Sequence, residues 1–184
     1  MFSYNPETKI LSGIDFPEFF HPNVTLGQIL LHYLKRDPSR IVQVCYDDGV
    51  ELTAAEMIKL SSRAAQNLTK NGIKFGDVIG MVAKNTTYVT PIVLACILIG
   101  APINTLDPSF DSHEIAHIFR QTKPKLVFCD HDNLTSVKMA LVEAENQSDV
   151  VTITEEIYDV RHVMEFFQQI DTEKEFMYGF FTSL

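Results

Sequence analysis

Two histidines in the stretch His113-Glu114-Ile115-Ala116-His117 have the residue types and spacing that most directly suggest chemistry. A separation of four residues brings both imidazoles to one face of an α-helix, with the Glu114 carboxylate beside them. This H-E-x-x-H pattern is the one with which zinc proteases bind their metal and supply a general base. A third ligand would have to come from the next predicted helix, where Glu143 and Glu145 are candidates. On this interpretation the chain is a small zinc hydrolase.

The position of the motif argues for a solvated helix face instead. Asp111 and Glu114 form a capping box, which places His113 in the first helical turn, where backbone geometry is least fixed. No downstream histidine follows at the spacing of the larger zinc-protease families. We therefore predict that no zinc binds at His113 and His117, that both imidazoles are exposed, and that no third ligand faces them. The apolar residues of this helix are predicted to face the core: Ile115, Ile118 and Phe119.

The sequence Cys129-Asp130-His131 is a second candidate, for a nucleophile or a metal cluster. Alternation along the preceding apolar strand favours a buried Cys129 beside exposed loop residues. The chain has three cysteines, Cys45, Cys96 and Cys129, an odd number in apolar surroundings. This favours buried thiols in a reducing compartment over a disulfide framework. No segment matches a G-x-S-x-G elbow or a P-loop. No residue is assigned a catalytic, cofactor-binding or metal-binding role.

Composition limits the class of protein. The chain has 184 residues, of which 46% are hydrophobic and 21% charged, and a net charge of −9. These values fit one globular domain or a large part of one, and the negative charge argues against nucleic acid or an anionic membrane as partner. The most apolar run, 88–99, is too short to span a bilayer, and the N-terminus has no apolar signal region. We expect a cytoplasmic protein.

The first 75 residues predict two capped helices that flank a β-hairpin. Thr25 precedes an apolar i, i+3, i+4 pattern, and Thr53 with Glu56 forms a capping box. Asp48-Gly49 is a dipeptide typical of β-hairpin turns, and it lies between two short predicted strands. In chain order these patterns predict an extended segment over 1–24, a helix from Thr25 to Pro38, strands over 41–46 and 50–53, and a helix ending at Asn71-Gly72.

From residue 75 onwards, continuous apolar strands alternate with helices. This alternation predicts an α/β fold, with a mostly parallel sheet covered by helices on both faces. Strands are predicted near 78–83, 101–104, 126–129 and 150–153, and helices near 54–70, 87–99, 112–122 and 134–145. A further apolar stripe predicts a helix over 160–170, after which the pattern fades.

Five segments share their order and spacing with one known family. They are Asp37-Pro38 with the Asp48-Gly49 hairpin and Thr53; 71–79, similar to G-h-x-x-G-D-V-h; Lys84-Asn85 with the apolar 91–99 helix and Gly100-Ala101; 102–108, similar to G-x-x-x-x-x-N-P; and 122–128, similar to x-x-P-K-h-h-h. Together they resemble the start of the AMP-forming acyl-CoA synthetases, the adenylate-forming family that includes firefly luciferase and 4-coumarate–CoA ligase. The resemblance covers 20–155.

The resemblance implies both an architecture and an activity. The architecture is an extended segment over 1–24, the N-terminal part of the large adenylating domain over 25–155, and a C-terminal segment over 156–184 to which no structure is assigned. The full-length family uses ATP and Mg to activate a fatty or aromatic carboxylic acid as an acyl-adenylate, and then transfers the acyl group to CoA. The resemblance implies the carboxylic acid as a partner of the full-length family only, and it leaves the oligomeric state open.

The family's catalytic motifs are not found in this chain. By family spacing, its Ser/Thr/Gly-rich phosphate loop, aromatic-Gly-x-Thr-Glu motif, ribose-binding Asp and lid lysine would all follow residue 184. We expect the chain alone to be inactive. The alternative is a truncated, non-catalytic paralogue that binds a partner or is a relic.

Two further expectations concern the end of the chain. A domain that ends early would leave five phenylalanines exposed and the C-terminal end loosely packed: Phe166, Phe167, Phe176, Phe180 and Phe181. The final Thr182-Ser183-Leu184 lacks the basic residue of a peroxisomal S-K-L address, so a peroxisomal location applies only to a full-length relative.

Overall fold

The computed structural model describes residues 2–13 and 20–170. Its helices are α1 (Leu26–Arg36), α2 (Ala54–Lys70), α3 (Val89–Ile99), α4 (Ser112–Thr122) and α5 (Leu134–Glu143). Its strands are β1 (Ser3–Asn5), β2 (Ile10–Ser12), β3 (Ile41–Val44), β4 (Glu51–Thr53), β5 (Ile79–Val82), β6 (Ile103–Leu106), β7 (Leu126–Cys129), β8 (Asp149–Thr152) and β9 (Arg161–His162). Short 3-10 turns cover His131–Asn133 and Val163–Phe167.

Five strands form one parallel sheet in the order β6-β5-β7-β8-β9. Strands β5 and β7 are direct neighbours, paired from Ile79 with Leu126 to Val82 with Cys129. The predicted α/β class with a mostly parallel sheet is therefore confirmed. Separately, β3 and β4 form the predicted antiparallel hairpin.

Alternate side chains of the central strands reach two cores on opposite faces of the sheet. On β5 and β7, Met81 and Phe128 pack in the core beneath α2 and α3, whereas Val82 and Val127 pack in the core beneath α4 and α5. This is the pattern expected for strands buried on both faces. The predicted inward-facing residues Ile115 and Phe119 of α4 are fully buried.

Three helices begin at the predicted caps. Thr25, Thr53 and Asp111 each accept hydrogen bonds from main-chain N–H groups of the first turn and complete a capping box. Each box satisfies amide groups that would otherwise have no partner at the helix start. Within the described residues, no helix combines the length and the apolar character needed to cross a membrane.

The predicted extended segment at the N-terminus contains a hairpin instead. Strands β1 and β2 pair antiparallel, with Ser3 opposite Ser12 and Asn5 opposite Ile10. The Asn5 side chain accepts the main-chain N–H groups of Glu7 and Thr8 and so forms the turn locally. Because one side chain forms this turn, the hydrophobic periodicity of the sequence does not predict the hairpin.

The predicted helix over 160–170 is wrong. Arg161–His162 adds a fifth strand beside β8, and Val163–Phe167 forms a 3-10 turn that His162 caps. Phe166 and Phe167, predicted to be exposed, are only 0% and 4% exposed. Phe166 packs edge-on against Phe128 with 5.3 Å between ring centroids. The other three phenylalanines of that prediction, Phe176, Phe180 and Phe181, lie outside the described residues.

Candidate functional site

The direction of the chain reverses between β5 and β7. From β5 the chain crosses to β6 on one side, and then to β7 on the other side of β5. In open parallel sheets such a reversal separates the loops at the carboxyl ends of the two strands and creates the usual crevice for ligands. The loops 83–88 and 130–133 lie there, and they define the candidate site.

Asp130 is the first residue after β7 and joins the two loops. Its Oδ2 accepts the main-chain N–H of Lys84 at 2.7 Å, while its own N–H donates to the Val82 carbonyl at 3.1 Å. The side chain is buried, with the residue 2% exposed, and Oδ1 has no hydrogen-bond partner among the described residues. Burial raises the pKa of Asp130, against the opposing effect of the Lys84 N–H group.

The burial of Asp130 corrects the prediction that it is an exposed loop residue. Its hydrogen-bond partners are the last residue of β5 and Lys84 in the loop that follows. The alternation of side chains along β7 does not predict these partners on another strand. A signal was nevertheless present in the sequence, since an acidic residue directly after a buried parallel strand lies at the edge where α/β sheets place polar groups.

The rim of the crevice carries exposed charges of both signs. The Lys84 ammonium lies 3.7 Å from Asp132, and His131 lies 3.2 Å from Asp132 and 3.6 Å from Glu155. In the part of the chain that the structure describes, no group of three or more His, Cys, Asp or Glu side chains is arranged to hold a metal ion. The rim is therefore a partly neutralised polar surface.

The other side of loop 83–88 is attached to the β3–β4 hairpin. The Thr87 hydroxyl donates to Asp48 at 3.1 Å, and the Gln43 side-chain amide donates to the Thr87 carbonyl at 3.1 Å. Between the hairpin and the loop lies an open cleft of about 410 Å³, lined in part by Asp47 and Thr86 and containing no lysine or arginine. Loop 83–88 is thus held from both sides.

The H-E-x-x-H histidines lie on α4, away from this crevice. Both are exposed, as predicted. The expectation that no third ligand faces them was wrong at His113, because its Nδ1 lies 2.7 Å from the candidate ligand Glu143 on α5. Glu143 also binds Arg120 at 2.8 Å, and His117 contacts Gln121 at 3.1 Å. The Glu114 carboxylate accepts the Asp111 N–H at 2.9 Å, in its capping role.

Two of the three thiols, Cys96 and Cys129, are not activated nucleophiles. Cys129 is fully buried, and burial raises its pKa to about 12. Burial likewise raises the pKa of Cys96 to about 12. Because the thiolate is the reactive form, neither side chain has the environment of a reactive cysteine.

The parallel sheet, its reversal and its polar carboxyl edge define a doubly wound α/β protein. A sequence model of the family described as AMP-binding enzyme matches residues 31–177. The chain therefore belongs to that family, which confirms the resemblance drawn from the five segments.

Individual relatives agree with this assignment. The chain is 29% identical over 126 residues to "Probable acyl-activating enzyme 10" of Arabidopsis thaliana, covering 66% of this chain and 23% of that protein. It is 26% identical over 136 residues to the luciferin 4-monooxygenase of Photuris pensylvanica, covering 71% of this chain and 24% of that protein. The chain thus spans about a quarter of the length of these relatives.

A solved structure shows the same fold. The luciferase-like enzyme from the nonluminescent mealworm Zophobas morio superposes with a TM-score of 0.77 and 24% identity. The superposition covers 84% of this chain and 38% of that one.

Proposed function

We propose that this chain is the structural N-terminal part of an acid-activating ligase. The whole enzyme would activate a fatty or aromatic carboxylic acid with ATP as an acyl-adenylate and then form a thioester with CoA. The match of residues 31–177 to the AMP-binding enzyme family, with the parallel sheet it encloses, is the observation that carries the proposal. ATP, Mg and CoA belong to the whole enzyme.

The described residues do not themselves fit a nucleotide phosphate. The cleft beside loop 83–88 contains Asp47 and no lysine or arginine, and Lys84 faces Asp132. Phosphate sites in α/β proteins present convergent main-chain N–H groups and cations. The cleft beside loop 83–88 therefore provides no binding site for the ATP phosphates.

The role that these residues support is preorganisation of the carboxyl edge of the sheet. Asp130 holds loop 83–88 from the side of β7, and Asp48 with Gln43 holds it from the hairpin. A rigid edge places any catalytic groups on later segments in fixed positions, and fixed positions are what electrostatic stabilisation of a leaving pyrophosphate requires.

The first test is ATP–pyrophosphate exchange by the isolated chain, with a panel of fatty and cinnamic acids. We expect no acid-dependent exchange above the buffer blank, because the cleft beside loop 83–88 contains no lysine or arginine to stabilise the leaving charge. Protein free of host synthetase is the necessary control. Reproducible acid-dependent exchange would contradict the assignment of a purely structural role.

The second test is a graft. The matching 136-residue segment of the Photuris luciferin 4-monooxygenase is replaced by the segment from this chain, and luciferin turnover is measured. We expect turnover to persist, since the graft supplies the same sheet. The same graft with Val127→Asp, which places a charge in the core, should be inactive. A folded, monodisperse graft without turnover would argue for the alternative of a non-catalytic, partner-binding paralogue.

Sequencing the transcript beyond the Leu184 codon distinguishes the same alternatives. An in-frame continuation encoding a Ser/Thr/Gly-rich phosphate loop supports the ligase. A stop codon confirmed in the messenger RNA supports the non-catalytic paralogue.

A further inference from the structure

The end of α2 contains a dipeptide that can modify itself. Asn71 is the only asparagine of the chain that precedes a glycine, and both Asn71 and Gly72 are exposed. In such a pair the main-chain nitrogen of the glycine can attack the side-chain amide carbon of the asparagine, because glycine has no side chain to obstruct the approach. Asn71-Gly72 is therefore a candidate site of deamidation.

This reaction needs no cofactor and no oxidant. A bond forms between the Gly72 nitrogen and Asn71 Cγ, the bond from Cγ to Nδ2 breaks, and the proton lost by the glycine nitrogen leaves with ammonia. The product is a cyclic imide. Water then opens the imide at either of its carbonyl carbons and leaves aspartate or isoaspartate at position 71.

The folded structure opposes the attack at both reacting groups. The Gly72 N–H donates to the Thr69 carbonyl at 2.9 Å, as part of the turn that ends α2. The Asn71 side chain donates through Nδ2 to the Asn67 carbonyl at 2.7 Å. The attacking nitrogen and the leaving group are thus each in a hydrogen bond that must open before they react.

Arg161 of β9 holds the remaining polar atom of the Asn71 side chain. Its guanidinium donates to Asn71 Oδ1 at 3.0 Å, across 90 positions of sequence. The same guanidinium donates to Glu165 at 3.0 Å and lies 5.0 Å from the centre of the Phe166 ring. Because these contacts fix Arg161 beside β9, its hold on Asn71 is a tertiary contact and not a property of α2 alone.

We propose that Asn71 is a site of spontaneous deamidation whose reaction is suppressed in the folded protein by the contact with Arg161. The reaction proceeds from the state in which the end of α2 has opened locally, so its rate reports how often that opening occurs. Conversion to isoaspartate adds a carbon atom to the main chain and breaks the hydrogen bonds that end α2. This inference goes beyond the proposed ligase function and does not depend on it.

Peptide mass spectrometry of the full chain, after incubation at mildly alkaline pH, tests the proposal. We expect deamidation of Asn71 in guanidinium chloride, and a rate at least about tenfold lower in buffer, because several hydrogen bonds must open first. Asn71→Gln should abolish the signal under both conditions, since glutamine would have to form a larger ring.

Variants of two arginines test the part played by Arg161. Arg161→Met removes the donor to Asn71 and should raise the rate in buffer about tenfold, while leaving the rate in guanidinium chloride unchanged. Arg161→Lys should raise the rate in buffer less, because an ammonium group keeps the charge but lacks the planar fork that reaches Asn71 and Glu165 together.

Arg120→Met is the matched control. It removes a guanidinium that binds Glu143 at 2.8 Å, on the helices that cover the opposite face of the sheet from α2. The rate of Asn71 deamidation in buffer should not change in this variant, because Arg120 makes no contact with the end of α2.

Four results would overturn the proposal. They are equal rates in buffer and in guanidinium chloride, absence of Asn71 deamidation in guanidinium chloride, wild-type rates in buffer for both Arg161 variants, and an equal acceleration in Arg120→Met. If Arg161→Met lacks a cooperative unfolding transition, Arg161→Lys and the comparison of buffer with denaturant in the wild type decide the matter.

Discussion

The Asp77 carboxylate lies 2.8 Å from the Lys125 ammonium group, a contact between residues 48 positions apart. Asp77 also accepts the Lys74 N–H at 2.7 Å and follows Gly76, whose φ of +83° suits glycine. The two residues precede the adjacent strands β5 and β7 and belong to two of the segments that resemble the adenylate-forming family. Their pairing fixes the start of the central strand pair.

This pair predicts a pH-dependent contribution to stability. The Lys125 hydrogen bond, followed by that from Lys74, holds the pKa of Asp77 below its ordinary value. A lowered folded-state pKa gives stability that is present above about pH 3.9 and lost as the pH falls through the folded-state pKa. In urea unfolding, the stability advantage of the wild type over Asp77→Asn should therefore shrink as the pH falls.

Lys125→Met should remove most of that pH dependence, because Lys125 is the largest cause of the shift. A wild-type advantage that stays constant down to about pH 2, below the normal range of carboxyl pKa values, would contradict the pairing.

Asp130 should give the stability of the folded protein a pH dependence of the opposite sign. Burial raises its pKa, so the ionised form is less stable in the folded protein than in the unfolded chain. This cost is absent below about pH 3.9 and grows as the pH rises through the folded-state pKa. Asp130→Asn keeps an acceptor for Lys84 and should gain stability relative to the wild type between about pH 4 and pH 7.

Asp130→Ala removes that acceptor and should cost about 1–3 kcal/mol, because the Lys84 N–H is left unpaired. An Asn variant whose stability difference from the wild type does not vary with pH would show that Asp130 is not held as described.

The Asn67 side chain should stabilise the segment that follows β8. Its side-chain amide donates to the carbonyls of Phe166 at 3.0 Å and Gln168 at 3.1 Å. Asn67→Ala should cost about 1–3 kcal/mol and accelerate amide exchange in Val163–Phe167, since buried carbonyls lose their donor. The exposed substitution Gln121→Ala is the control and should change neither. Unchanged protection in Asn67→Ala would mean that packing of Phe166 alone holds this segment.

The buried thiols should react slowly with a disulfide reagent. Cys96 and Cys129 should react with a disulfide reagent at about pH 8 only at the rate of unfolding, because burial raises the pKa of each thiol to about 12. In Cys45→Ser, no thiol should react rapidly in the native protein, and two should react in denaturant. A fast-reacting thiol in that variant would contradict the burial.

Zinc binding at His113 and His117 is not expected. Glu143, the acidic residue that faces His113, is already bound by Arg120, and the Glu114 carboxylate caps its own helix. Metal analysis of the purified protein should find no stoichiometric zinc. One equivalent of zinc that disappears in His117→Ala would show that this prediction is wrong.

The division of the chain at residues 24 and 155 stays a prediction, as does the absence of catalytic residues. The local features are different, because neighbouring residues determine them. A threonine or aspartate three positions before its partner makes a helix cap, and apolar periodicity distinguishes strands from helices. The three caps, the hairpin at Asp48-Gly49 and the parallel sheet were therefore predictable.

What the sequence by itself determined is thus the class of fold and the family, both of which follow from short-range patterns in a fixed order. Tertiary structure alone decided the burial of Asp130, the fifth strand and the packing of Phe166. These features depend on Lys84, 46 residues from Asp130, and on Asn67, 99 residues from Phe166. Such partners are adjacent only after the strands have paired, and a buried polar group is stable only where a distant partner satisfies it. The periodicity of neighbouring residues therefore does not indicate which distant residues become hydrogen-bond partners.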